Sequence, residues 1–178
     1  MSVASWKTAL GKAIIPVERV WLRDIAAEVE KQFGAETVIV NIGIFRGATM
    51  YCLGAGAPRA RLVGIDTLYP QGAPLDPRAR AQVLVGDSGK LHASFAGPVH
   101  LLFIDGDHSY EAVARDIAGW APKIVPGGVI AFHDFKTEPK VAAKHAGIKR
   151  AVLEWEREAG WLLIAEPGSI RAYRRPLG

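Results

Sequence analysis

The chain has 178 residues, 49% of them apolar and 22% charged, with a formal net charge of +4. That length supports one domain with a sizeable core, and that balance excludes a disordered or fibrous chain. The charge excess is mild, so it favours anionic partners without pointing to nucleic acid, and Lys144, Lys149, Arg150, Arg171, Arg174 and Arg175 read as solvated basic faces.

Elements alternate from Pro16 onward. Pro16 can open a helix, and Val17, Val20, Trp21, Ile25 and Val29 recur at helical spacing until Gly34. Thr37 to Ile42 is mostly β-branched and apolar, which predicts a strand buried on both faces. A helix follows from about Ala48 to Leu53, broken by Gly54-Ala55-Gly56-Ala57-Pro58. It carries the lone Cys52, which excludes an internal disulfide and reads as core packing. Leu62 to Ile65 is the second strand and ends at Asp66; Tyr69 to Pro77, rich in proline, reads as a functional loop. Gln82 to Val85 is the third strand and Val99 to Ile104 the fourth. Ser109 caps a helix striped by Tyr110, Val113, Ala114 and Ile117. Pro126-Gly127-Gly128 reads as a turn before a fifth strand, Val129 to Phe132. A helix is expected from Pro139 to Ala159, weakened at Gly147. Trp161 to Ala165 and Ile170 to Arg174, joined through Glu166-Pro167-Gly168-Ser169, predict a hairpin.

These elements predict an α/β, Rossmann-like doubly wound sheet: five parallel strands plus a C-terminal antiparallel hairpin, seven strands in all. Residues 1–178 form a single domain in this reading, with an N-terminal helical segment at about 1–34. No apolar run reaches the length of a membrane span. The first residues lack the apolar stretch and cleavage site of a signal peptide, so a cytoplasmic location is expected by elimination.

The most informative stretch is Leu101-Leu102-Phe103-Ile104-Asp105-Gly106-Asp107-His108-Ser109-Tyr110. A buried strand ends abruptly in acid and imidazole, which delivers polar groups to the edge where open α/β sheets bind ligands. Val129-Ile130-Ala131-Phe132-His133-Asp134 repeats the pattern. Adjacent strands would place Asp105, His108, His133 and Asp134 over one crevice.

The first strand exits into Gly43-Ile44-Phe45-Arg46-Gly47-Ala48-Thr49. Glycines let the backbone turn and approach a ligand, and the following helix turns its free N–H groups toward an anion. The same spacing also suits a plain strand-to-helix turn. Asp66 ends the second strand where dinucleotide folds place a ribose-binding acid, and Asp87, with Ser88, suits an adenine amino group. Either acid alone would equally serve as a helix cap; at successive strand ends they point to a nucleoside. The turn lacks the middle glycine that cradles pyrophosphate, and no Gly-Lys-Ser/Thr phosphate loop follows. Ala114 stands where short-chain reductases carry lysine after Tyr110. A ligand with adenosine and a zwitterionic amino acid but no phosphate fits these residues, and S-adenosylmethionine is such a ligand.

Together these segments, spanning Thr37 to Asp134 in order, resemble the class I S-adenosylmethionine-dependent methyltransferases. The likeness is to the small-molecule O-methyltransferases of the macrocin type and, more distantly, the catechol type. The resemblance implies that Gly43, Gly47 and Thr49 hold the methionine part, Asp66 the ribose, and Asp87 with Ser88 the adenine. It implies a divalent cation, Mg²⁺ or another, held by Asp105, His133 and Asp134, with His108 at the general-base position; His133 and Asp134 would equally orient a substrate without metal, and His108 would equally serve as a structural hydrogen-bonding residue. Asp105 and His108 are thus the catalytic candidates. Asn41 stands where these families carry an acid, and His133-Asp134 replaces the Asp-Asn pair of the catechol type. The substrate cap expected from the resemblance is a reduced one, made of the Tyr69–Pro77 loop and the Phe135–Gly147 region.

The expected partner is a small-molecule hydroxyl acceptor such as a sugar, phenol or polyketide-like compound. A homo-oligomer is compatible with the sequence. An Asn-Pro-Pro-Tyr/Phe motif is absent and no aromatic-basic cluster stands out, which argues against a nucleic-acid substrate. A noncatalytic adenosylmethionine- or nucleotide-binding module is the alternative. Asp107 reads as a helix cap, Lys136 as either solvated or facing an anionic substrate, and His92, His100 and His145 as surface or packing residues.

Overall fold

The computed structural model describes residues 14–68, 80–136 and 142–178. The first thirteen residues, the Tyr69–Pro77 loop and the Pro139 start of the last predicted helix lie outside them. In chain order the elements are α1 (Pro16–Phe33), β1 (Val38–Ile42), α2 (Ala48–Gly56), β2 (Arg61–Asp66), β3 (Arg80–Val85) and α3 (Ser88–Ser94). Then follow β4 (Val99–Ile104), α4 (Tyr110–Trp120), β5 (Ile124–Phe132), α5 (Ala146–Ala159), β6 (Leu162–Ala165) and β7 (Arg171–Arg174).

The strands form one sheet in the order β3-β2-β1-β4-β5-β7-β6. β1 to β5 are parallel, and β7 runs antiparallel to both β5 and β6. This is the predicted Rossmann-like architecture with its terminal hairpin. Sequence order reverses between β1 and β4, and ligands in such sheets bind outside the carboxyl ends of the strands at that point.

Alternation along the strands divides the core. Ile39, Leu62, Leu101, Phe103, Val129 and Ala131 face α1 and α2, packing on Leu22, Ile25, Val29, Met50 and Leu53. Val40, Ile42, Val63, Leu102, Ile104, Ile130 and Phe132 face α4 and α5, packing on Val113, Ile117, Trp120, Ile148 and Val152. Both faces are covered, which is why β1 and β4 are apolar almost throughout.

Several boundaries differ from expectation. Val17 and Val20 are exposed, so the buried stripe of α1 is Leu22, Ile25, Ala26 and Val29. Helix α2 continues past Leu53 to Gly56. Pro126-Gly127-Gly128 lies inside β5 rather than before it: the register against β4 shifts between Val99 and Leu101, and Gly127 N–H donates to Arg175 O at 3.0 Å. An irregularity at that point accommodates the proline within the strand. The short helix α3 was not expected; Asp87 caps it by accepting from Gly89 N–H at 2.9 Å. Lys144, Lys149 and Arg150 are exposed as read. Arg171 instead is largely covered and pairs with Glu156 and Glu166 at 2.8 and 2.6 Å, and Arg174 meets Glu28 at 2.6 Å.

Candidate functional site

A crevice of about 1050 Å³ opens over the carboxyl ends of β1 to β5. Gly43, Asp66, Asp87, Ser88, Asp105, His108, His133 and Asp134 all line it. Gly47 and Thr49 do not: Gly47 caps α2 in a left-handed conformation, and Thr49 is buried in the first turn of the helix.

On the β1–β3 side, polar groups bind nearby backbone. Asp66 Oδ2 accepts from Ile44 and Phe45 N–H at 2.8 and 3.0 Å, and its Oδ1 accepts from Leu68 N–H at 3.2 Å. Burial pushes this carboxyl up, but the backbone donors outweigh it and hold the group below its ordinary value. Gly43 has φ +84, and a Cβ there would lie 2.0 Å from Asp105 O. Glycine is therefore required where the β1 exit passes the β4 exit. Ser88 Oγ donates to Asp116 Oδ1 at 2.7 Å. Burial, and secondarily Asp87, lift the Asp116 carboxyl to about 6 against that bond. Asn41 is fully buried; its amide donates to Gly43 O at 2.9 Å while its Oδ1 has no protein partner.

The β4–β5 side is built differently, from side chains bound to one another. His133 Nδ1–H donates to Asp105 Oδ1 at 3.0 Å, and Nε2–H donates to Glu18 Oε2 of α1 at 3.4 Å. Burial alone would depress the imidazole, but bonds to two carboxylates carry it to about 10, so both ring nitrogens hold protons at neutral pH. Burial raises Asp105, opposed by His133. Glu18 is 2% exposed and also accepts from Ser169 N–H and Oγ–H, both at 2.8 Å, and from Ile15 N–H at 2.9 Å. These donors overcome its burial and hold its carboxyl at about 2.

Asp134 adopts φ +55, a backbone region few side chains favour, and its Oδ2 sits among three imidazoles. His108 Nε2 lies 3.5 Å away, His133 Nδ1 3.6 Å and His145 Nε2 3.9 Å. The His108 and His145 rings meet edge-on with centroids 4.5 Å apart. Burial lowers His108 below the ordinary imidazole value despite Asp134, so it is neutral at physiological pH. A neutral imidazole beside a carboxylate at a crevice wall can accept a proton.

The structure thus brings Asp105, His108, His133 and Asp134 together as the strand-end pattern implied. Three residues escaped the sequence reading. Glu18 lies 115 positions from His133 in the chain and looks, in sequence, like an ordinary first-turn acid. Asp116 sits mid-helix. His145 read as packing but stands against His108 and Asp134; its only sequence signal is Gly147. A Cβ at Gly147 would lie 2.5 Å from both His108 O and Tyr110 N, so glycine permits α5 to touch the β4–α4 loop. Asp107 Oδ1 accepts from Ser109 N–H at 2.7 Å, and Ser109 itself caps α4. Lys136 pairs with Glu166 at 3.1 Å. His92 and His100 pack against Trp120 and Phe33 respectively, and His100 Nδ1 accepts from Val38 N–H at 3.0 Å. Cys52 is buried, which pushes its thiol to about 11. Among the described residues no helix is long and apolar enough to cross a membrane.

Residues 40–135 match a family described as a methyltransferase domain. The fold is shared with a cofactor-bound protein from MTB, Rv0187, at 20% identity and TM-score 0.75, over 98% of this chain and 89% of that one. An O-methyltransferase from Bacillus cereus in complex with SAH matches at 18% identity and TM-score 0.70, over 97% and 87%. MycE, a methyltransferase of the mycinamycin biosynthetic pathway in complex with Mg and SAH, matches at 13% identity and TM-score 0.61, over 88% of this chain and 50% of its own.

Proposed function

The chain belongs to the methyltransferase domain family, and from that premise we propose that it transfers a methyl group from S-adenosylmethionine to a hydroxyl of a small-molecule acceptor. The observation that carries this reading is the pairing, in one crevice, of strand-end acids with a neutral imidazole: Asp66 and Asp87 on one side, His108 on the other. The cosubstrate identity is further supported by the SAH complex of the Bacillus cereus neighbour.

In this reading Asp66 meets the ribose with the one Oδ1 lone pair that the Ile44, Phe45 and Leu68 donors leave open, and Asp87 and Ser88 lie at the adenine end. Gly43 lets the methionine part pass close to the backbone. The acceptor oxygen attacks the methyl carbon in line with the sulfur. The C–S bond breaks, its electron pair stays on sulfur, and neutral S-adenosylhomocysteine results. The acceptor's proton moves to His108. With Nε2 turned to Asp134, Nδ1 is the basic atom, an assignment of tautomer that follows from the partner. A positioned base of this kind contributes about 10²- to 10⁴-fold.

The cation implied by the resemblance meets a poor donor set at Asp105, His133 and Asp134. Their ligand atoms lie within 4.8 Å of one another. Both nitrogens of His133, however, are already engaged by carboxylates, Asp105 at 3.0 Å and Glu18 at 3.4 Å, an arrangement that favours protons on the ring over a metal. No step is therefore routed through an ion held by those residues. Asp105 acts by holding His133, and through it Glu18.

The test is methyl transfer from labelled S-adenosylmethionine to a panel of phenols, sugars and polyketide-like alcohols. The reading expects labelled ether product whose formation collapses in His108→Ala while S-adenosylhomocysteine binding persists. Full activity in that variant, or transfer to amines alone, overturns it.

A further inference from the structure

We propose that His108, Asp134 and His145 form a binding site for a divalent transition-metal cation of the zinc type, distinct from the Asp105–His133–Asp134 set. One ligand atom from each of the three residues falls within 4.8 Å of the others. The separations from Asp134 Oδ2, 3.5 Å to His108 Nε2 and 3.9 Å to His145 Nε2, are too long for good hydrogen bonds. They suit ligation: two atoms each about 2.1 Å from a tetrahedral ion stand about 3.4 Å apart. Small side-chain movements would close the remainder.

Two further observations point the same way. The His145 side chain is 10% exposed, and its buried Nδ1 has no hydrogen-bond partner. With Nδ1 unpaired, no hydrogen bond on that side fixes the ring, and Nε2 is the nitrogen turned to Asp134. The backbone is shaped for the cluster: Asp134 is held at positive φ, and Gly147 admits α5 to the His108 loop. The donor set of two imidazoles and one carboxylate favours a borderline-soft ion over Mg²⁺ or Ca²⁺, which prefer oxygen throughout. Lys144 also lines the crevice and opposes any cation, which selects further for an ion that gains from nitrogen ligands. His108 and Asp134 line the crevice, leaving a fourth position open toward it.

Binding itself does not depend on the methyl-transfer reading. Its consequence for catalysis rests on that reading: an ion on His108 removes the lone pair that would take the acceptor's proton, and offers the acceptor oxygen a place on the metal instead. The test is titration of the full chain, stripped with chelator, with Zn²⁺ by calorimetry and with Co²⁺ by visible absorption. One equivalent of Zn²⁺ should bind, Co²⁺ should give the intense d–d bands of a four-coordinate site, and Mg²⁺ should not compete. His145→Ala should weaken Zn²⁺ by at least about tenfold, whereas Asp105→Asn should change it less than about threefold. S-adenosylhomocysteine binding and circular dichroism verify that both variants fold. If Zn²⁺ does not bind, or if Asp105→Asn abolishes binding while His145→Ala leaves it intact, the site is refuted. Methyl transfer by metal-free protein together with absent Zn²⁺ binding would refute the site alone. Zn²⁺ binding lost in His145→Ala, with no transfer to any acceptor, would support the site and count against the enzyme reading.

Discussion

The two halves of the crevice solve the same problem with opposite means. Over β1 to β3, carboxylates are tied to backbone a few residues away or one strand over: Asp66 to the β1–α2 loop, Asp87 to the first turn of α3. Over β4 and β5, Asp105, His133, Glu18, His108, Asp134 and His145 are tied to each other across the whole chain. The first half is a rigid seat whose geometry comes from local turns. The second is a set of coupled ionisable groups whose protonation comes from tertiary packing. In the proposed function, binding belongs to the seat and proton handling to the cluster.

That division can be broken by mutation. The largest effect is expected for His108→Ala, which should lower kcat/KM by about 10²- to 10⁴-fold while leaving S-adenosylhomocysteine affinity nearly unchanged. Asp66→Ala should do the reverse, with its loss in cosubstrate binding. Parallel losses of both kinds in both variants would erase the distinction between the halves.

Next is Glu18→Ala, which strands the donors of His133, Ser169 and Ile15 and should cost about 3 kcal/mol at pH 7. The Glu18 carboxyl is held at about 2 against an ordinary 4.5. Its contribution is therefore present above 4.5 and lost as pH falls toward 2. Urea unfolding of wild type and variant should converge across that window; a gap that stays constant would remove Glu18 from the ionic cluster.

Gly147→Ala should cost about 2 kcal/mol, because a Cβ would press on His108 O and Tyr110 N, both of them backbone atoms. It should also weaken activity by displacing α5 from His108, whereas a silent substitution would sever α5 from the cluster. The smallest effect is expected at Asp116, whose carboxyl is raised to about 6 from 3.8. Its folded form favours the proton, so stability is lost as pH rises from 3.8 through 6. Asp116→Asn, which can still accept from Ser88, should be more stable than wild type at pH 8 and equal to it at pH 4. Thermal melts at the two pH values check it.

The same contrast explains what could be read from the chain. Buried strands announce themselves as apolar runs, so β1 and β4 were legible, as was the acid that follows β4; the hairpin was legible from its Pro-Gly turn between two short runs, although β6 itself is exposed. Asp66 ends β2, Asp105 follows β4 directly, Asp87 and Asp134 stand one residue further past β3 and β5, and the parallel order places them side by side. Glu18 was not legible, because its partners lie on β5 and the β6–β7 turn, and no spacing rule links a first-turn acid to either. His145 was missed because a lone histidine before a helix carries no mark of what the helix will touch. Pro126-Gly127-Gly128 misled for the opposite reason: its local signal is a turn, and pairing with β4 and the C-terminal residues overrides it. Helix α3 is short and polar, so it lacked the periodicity that exposes longer helices.

The seat for the cosubstrate is the claim on which the rest depends. Isothermal titration of the folded chain with S-adenosylhomocysteine measures it directly. Saturable binding of one equivalent is expected, strongly weakened in Asp66→Ala and retained in His108→Ala. Absence of binding heat at several temperatures, or binding indifferent to Asp66, would contradict the account.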